Sequence, residues 1–119
     1  MFGNYTINNI AGDFMAISEF RYNHKVKHYT YIFKSRGEKR DFLTLTSHKY
    51  RRKTSKRGHT KYISNVELYQ HPNPKKRFEK QYVIPKIKTG KVSDFDKKLK
   101  WNFHLFDKRK IKKIKNNKW

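Results

Sequence analysis

Hydrophobic positions are sparse along this chain and fall into short, separated runs. Phe14, Met15, Ala16 and Ile17 open a brief apolar segment to Phe20 whose secondary structure the pattern leaves open. Tyr29-Thr-Tyr-Ile-Phe33 combines aromatic and β-branched residues and predicts a strand. Ser35-Arg-Gly-Glu38 then supplies a turn, with Gly37 free to take positive φ, and Asp41–Thr46 follows as a second strand with Leu43 and Leu45 on one face. Together they predict a hairpin, in which Tyr29, Tyr31, Phe33, Leu43 and Leu45 are expected to be core. Residues 47–61 read as a basic loop. Val66 and Leu68 share a face in a strand-like stretch from Tyr62 to Tyr69. His71-Pro-Asn-Pro74 breaks the chain, and Gln81–Ile87 is another strand candidate, Pro85 marking an edge or bulge. Beyond Gly90 the period lengthens. Ser93 is placed to cap a short helix carrying Phe95 and Leu99, and Leu105–Ile114 predicts a basic helix with Ile111 and Ile114 together. The expected fold is α+β, a small strand-rich domain with a barrel-like antiparallel sheet and C-terminal helical segments.

At 119 residues the chain has room for one domain, 1–119, with a modest core. Only 34% of it is hydrophobic, and nearly half of that share is aromatic. Low hydropathy with high net charge is a mark of disorder, but disordered segments are poor in aromatics, so a folded body with basic loops is expected. Cysteine is absent, which excludes disulfides and thiol catalysis and suits a reducing cytosol. No apolar run approaches the roughly twenty residues of a membrane span, and the N-terminus has no basic-then-apolar signal pattern. An amphipathic helix suited to a membrane surface is also missing, so no membrane partner is expected.

Charge changes the picture most. The formal net charge is +22, and every Lys and Arg lies after position 20, where the first twenty residues carry only Asp13 and Glu19. Like charges at that density oppose compaction. A polyanion relieves them, and each phosphate contact releases counterions. Nucleic acid is therefore the expected partner. The cations concentrate in the 47–61 loop (Lys49, Arg51, Arg52, Lys53, Lys56, Arg57 and Lys61), in Lys75–Lys91, and in the 97–119 tail. That tail holds ten cations, Lys108, Arg109 and Lys112 among them, against Asp107 alone. Asp107 suits a helix's first turn, and the cations that follow form a phosphate-binding edge. Aromatics stand beside cations at Tyr50-Arg51, Lys100-Trp101 and Lys118-Trp119. Single strands are held this way, cations on phosphates and ring faces on bases, although an alternating strand also places rings inward and cations outward. Tyr50, with no apolar neighbours, and Trp101 are candidate stacking residues; Trp119 is expected to fray unless a partner orders it. The aromatic content favours unpaired bases, and hence RNA over DNA.

Reactive constellations are few. The close acidic pair Asp94 and Asp96 sits where a helix is expected and reads as capping, while His24 and His28 have a metal-like spacing but lack a third ligand. Walker and dinucleotide fingerprints are missing, so no metal and no cofactor is expected. A metal-free route remains: RNA is cut through its own 2′-hydroxyl when a base, a phosphorane-stabilising cation and an acid are supplied. Thr46 and Ser47 can orient the phosphate, His48 can move protons near neutral pH, Arg40 or Arg36 can stabilise charge, and Lys49 can hold a neighbouring phosphate. The plainer alternative is that Thr46 and Ser47 end a strand and His48 is merely exposed.

The run Tyr31-Ile-Phe33, a turn, then Phe42-Leu-Thr-Leu-Thr-Ser-His-Lys49 resembles the hairpin and Thr-Ser strand end of ToxN-type and MazF/PemK-type toxins, small-barrel endoribonucleases of bacterial toxin–antitoxin systems. The later strand Tyr82-Val-Ile84 and a helix with Asp107 at its start and Ile111 and Ile114 extend the resemblance over about residues 29–114. It implies a metal-independent endoribonuclease with Thr46 and Ser47 at its active site beside a cation, and an antitoxin RNA or acidic protein as a partner. Two other readings stay open: a non-catalytic RNA- or DNA-binding accessory protein, ribosome-associated or encoded by a phage or mobile element, and an inhibitor of a nucleoprotein enzyme.

Overall fold

In a computed structural model, residues 14–54 and 60–118 are described, the side chains of 52–54 and 60–62 excepted. The described residues form β1 (Met15–Asn23), β2 (His28–Arg36), β3 (Lys39–Thr46), β4 (Tyr50–Thr54), β5 (Thr60–Ser64), β6 (Val66–Glu67), β7 (Tyr82–Val83), β8 (Lys88–Lys91) and an α-helix, α1 (Leu105–Lys115). The fold is the expected α+β: an antiparallel sheet in the order β1-β2-β3-β7-β6, with β8 also on β3, and a C-terminal helix. The sheet is open, so the barrel-like curvature does not close.

Strand β3 is central, pairing β2 along one edge and both β7 and β8 along the other. Asp41 through Thr46 are all buried, because both faces of the strand are covered. Leu43 and Leu45 join Phe20, Tyr31, Phe33, Val66, Leu68, Val83 and Phe103 on the side roofed by Ile111 and Ile114 of α1. On the opposite side Phe42 meets Phe95 edge to face at 5.2 Å. Burying each of those isoleucines contributes about 1.5–3 kcal/mol, which is how so cationic a helix is held down.

The β2–β3 turn is as expected, with Gly37 at φ +58°. The β1–β2 turn carries a signal the hydrophobic pattern does not register. Asn23 is buried, its Oδ1 accepts from the N–H groups of Lys25 and Val26, and Lys27 takes φ +61°. An Asx turn of this kind reverses the chain without glycine.

Four expectations are corrected. The 47–61 stretch is not a loop: β4 and β5 pair over Tyr50↔Ser64 to Thr54↔Thr60 as a separate two-stranded sheet, and Lys56 and Arg57 lie outside the described residues, as does Trp119. No helix runs from Ser93 to Leu99. A 3₁₀ turn at Val92–Asp94 is followed by extended chain that bridges Asn23↔Phe95 and Phe20↔Leu99 along the outer edge of β1. Asp94 still caps, its Oδ2 accepting from the Lys91 N–H at 3.1 Å. The Gln81–Ile87 candidate contracts to Tyr82–Val83, Pro85 separating it from β8. Finally, Tyr29 is not core but 41% exposed. No described helix is long and apolar enough to cross a membrane.

Asp107 ties the helix to the body. It is fully buried in the first turn of α1, where its carboxylate accepts from the backbone N–H groups of Tyr69 at 2.7 Å and Gln70 at 3.2 Å, with Lys110 Nζ 3.6 Å away. Asp107→Ala strands those donors, at roughly 1–3 kcal/mol for each one left unpaired. The expected result is a lower urea midpoint at unchanged slope; an unchanged midpoint would show that the carboxylate contributes nothing.

Candidate nucleic-acid interface

The end of β3 opens into a cleft of about 380 Å³. Thr46 closes the strand, paired with Tyr82, and its Oγ1 accepts the His48 N–H at 3.2 Å, which bends the chain away from the sheet. Asn65, buried between β5 and β6, fixes the far side of that bend: its Nδ2 donates to the His48 carbonyl at 2.9 Å, and its own N–H donates to the Lys49 carbonyl at 2.8 Å. Ser47 and His48 are thereby presented to solvent at the cleft wall.

Two further imidazoles line the same cleft. His28 stands at the start of β2, and its Nδ1 lies 3.1 Å from the Leu45 carbonyl. A carbonyl can only accept, so Nδ1 carries a proton, and in the neutral ring the lone pair is on Nε2. His71 is the reverse. Its Nδ1 lies 3.0 Å from the Asn73 N–H, which can only donate, so Nδ1 is the acceptor and Nε2 carries the proton. Burial holds the His71 imidazole below its ordinary value of 6.5; Lys76 pushes the same way and Glu79 opposes both. The ring is therefore neutral at pH 7.

The sign for stability follows. The unfolded chain takes up a proton at His71 at higher pH than the folded one does, so His71 stabilises fully above about pH 6.5, and the benefit is lost as pH falls toward its lower folded value. Replacing His71 by Gln is expected to flatten the fall of Tm on acidification below about pH 6.5. Equal slopes for the two proteins would remove His71 from the acid response.

Around these groups stand Lys27, Lys76 and Lys80, the last 3.3 Å from Glu67 Oε2, together with Tyr22, Tyr29 and Trp101. Trp101 packs at 4.7 Å from the Tyr29 ring and 5.8 Å from that of His71. Among the described residues no three His, Cys, Asp or Glu side chains are grouped to hold a metal ion.

Of the residues singled out from the sequence, Thr46, Ser47, His48 and Trp101 share this cleft. Thr46 is buried and its hydroxyl serves the turn, which makes it a positioning group rather than a contact to phosphate. Arg40 is corrected. It lies six residues back along an extended strand, roughly 20 Å away, with Nη1 donating to the carbonyls of Gly37 and Lys39. Arg36 is at the same far end, paired with Asp41 at 2.9 Å. Lys49 is exposed beside Tyr50, its Nζ 5.3 Å from that ring, and Arg51 is half-buried on β4. Arg52, Lys53 and Lys61 belong to the backbone pairs of the β4–β5 hairpin. Lys108, Arg109 and Lys112 line a different hollow, on α1, with Leu105 and Phe106.

His71 is a residue sequence reasoning passed over, and Lys76 and Lys80 entered it only as part of the Lys75–Lys91 charge. The Pro-Asn-Pro motif that marked a break also builds the site, since the Asn73 N–H sets the His71 tautomer. Set against known proteins, the chain matches no family model, and no curated protein or solved structure shows significant similarity to it.

Proposed function

We propose that this protein binds single-stranded RNA in the cleft at the end of β3 and cuts it there through the RNA's own 2′-hydroxyl. One observation carries the reading: three imidazoles and Ser47 share a cleft with Lys27, Lys76 and Lys80 and with the rings of Tyr29 and Trp101. The lysines meet phosphates, and the rings take unpaired bases. His28 Nε2, free to accept because Nδ1 is committed to Leu45, removes the 2′-hydroxyl proton. The 2′-oxygen attacks phosphorus, Lys76 and Lys80 stabilise the charge that builds on the phosphorane, and the His71 Nε2–H donates a hydrogen bond to a phosphate oxygen. His48, protonated, returns a proton to the departing 5′-oxygen as the P–O5′ bond breaks. The products are a 2′,3′-cyclic phosphate and a 5′-hydroxyl. A cytosolic setting agrees with the lack of cysteine.

Labelled single-stranded RNA incubated with purified protein in excess EDTA tests the reading. Fragments ending in 2′,3′-cyclic phosphate are expected. Tight binding with intact RNA would withdraw the chemistry and leave a non-catalytic RNA-binding module, a role the exposed rings serve equally well.

A further inference from the structure

Beyond the cleft, a second group of rings stands on the surface. Tyr69 is 63% and Phe106 60% exposed, yet their rings lie 5.0 Å apart, and His104 packs against both at 4.6 and 4.8 Å. The two groups are joined. Segments 69–72 and 101–104 lie side by side, the Asn102 N–H donating to the Pro72 carbonyl at 3.2 Å. His71 meets Trp101 toward the cleft end of this ribbon, and Tyr69 meets His104 toward the helix end. Asp107 holds the Tyr69 and Gln70 backbone against α1, which keeps the outer rings in place.

Cations follow the rings. Lys100 precedes Trp101 and is exposed, while Lys108, Arg109 and Lys112 continue from Phe106 along α1. Among the described residues none of these four has an ion-pair partner, whereas neighbouring Lys110 is engaged by Asp107. Rings alternating with unneutralised cations, continuous with a cleft of the same make-up, fit a polyanion carrying flat bases.

We infer that the cleft is one end of a longer single-strand track, which continues over Tyr69, His104 and Phe106 to Lys108, Arg109 and Lys112 and takes further nucleotides of the same strand. The inference rests on the RNA-binding reading of the cleft and adds to it the length and path of the bound strand. Cleavage plays no part in it.

The test uses two 2′-O-methyl oligouridylates, which cannot be cut, one of about 4 and one of about 12 nucleotides, spanning the usual range of single-strand sites. Binding is read by fluorescence anisotropy with the full chain. The wild-type protein should hold the longer strand more tightly. Tyr69→Ala with Phe106→Ala should weaken the longer strand by roughly tenfold or more while leaving the shorter one within about twofold, because each lost base stack costs that much. Lys108→Ala with Lys112→Ala should lower the salt slope of the longer strand alone by about 1.4. These side chains are exposed, and an unchanged far-ultraviolet spectrum would establish that the variants fold. Length dependence that survives the ring substitutions would come from charge alone and would overturn the track, leaving the patch to another partner such as an acidic protein. If neither oligonucleotide binds, the RNA reading itself falls, and the track with it.

Discussion

Replacing His28 with Gln is expected to lower the proposed cleavage of single-stranded RNA in EDTA by about 10²–10⁴-fold while RNA affinity stays within about threefold. The glutamine amide can still donate to the Leu45 carbonyl that His28 Nδ1 meets at 3.1 Å, so the strand end keeps its anchor. What it lacks is a nitrogen that can take a proton. The variant therefore separates a base from a brace. A protein that has lost its fold would fail to bind as well, so affinity is measured on the same preparation. Undiminished cleavage by His28→Gln would remove His28 from the reaction and leave His48 as the only exposed imidazole of the cleft able to act.

The second large effect is on binding. If about six phosphates of a single strand are neutralised, RNA affinity should fall by roughly 300-fold between about 50 and 200 mM salt. The chain carries thirty-one Lys and Arg, and only four ion pairs are formed among its described side chains. Unneutralised cations are what counterion release requires. A flat response to salt in a titration would mean that stacking and hydrogen bonds hold the strand and that the +22 charge serves some other end.

What could be read from the chain depended on whether a segment buries a face. The β2–β3 hairpin was legible because Tyr31, Phe33, Leu43 and Leu45 line one side of it and Gly37 sits where positive φ is needed. The helix was legible from Ile111 and Ile114 for the same reason. The β4–β5 hairpin was not, because it forms a sheet of its own and Tyr50-Arg-Arg-Lys-Thr54 has no apolar alternation to betray it. Phe95 and Leu99 misled because a spacing of four suits a helix, whereas both pair with β1 in extended chain.

The site divides along similar lines. Thr46, Ser47 and His48 are adjacent in sequence and needed no fold to bring them together. Arg40 seemed near them only by count, since six residues of strand carry the chain far across the sheet. His28 reaches Leu45 because the β2–β3 register places the start of one strand beside the end of the other, and His71 arrives through a loop. Neither relation leaves a local mark in the sequence.

Asp107 has a consequence that its place in the fold makes plain. A single carboxylate holds both the first turn of α1 and the backbone beneath Tyr69. An RNA strand gripping the Tyr69 ring, as proposed above, would bind a surface that exists only while the helix is docked. Occupancy and helix docking are thermodynamically linked, and each favours the other by the same free energy. On the proposed binding mode the helix that roofs the core becomes part of what the ligand stabilises, and a protein burdened with self-repelling charge would gain cohesion from a bound polyanion.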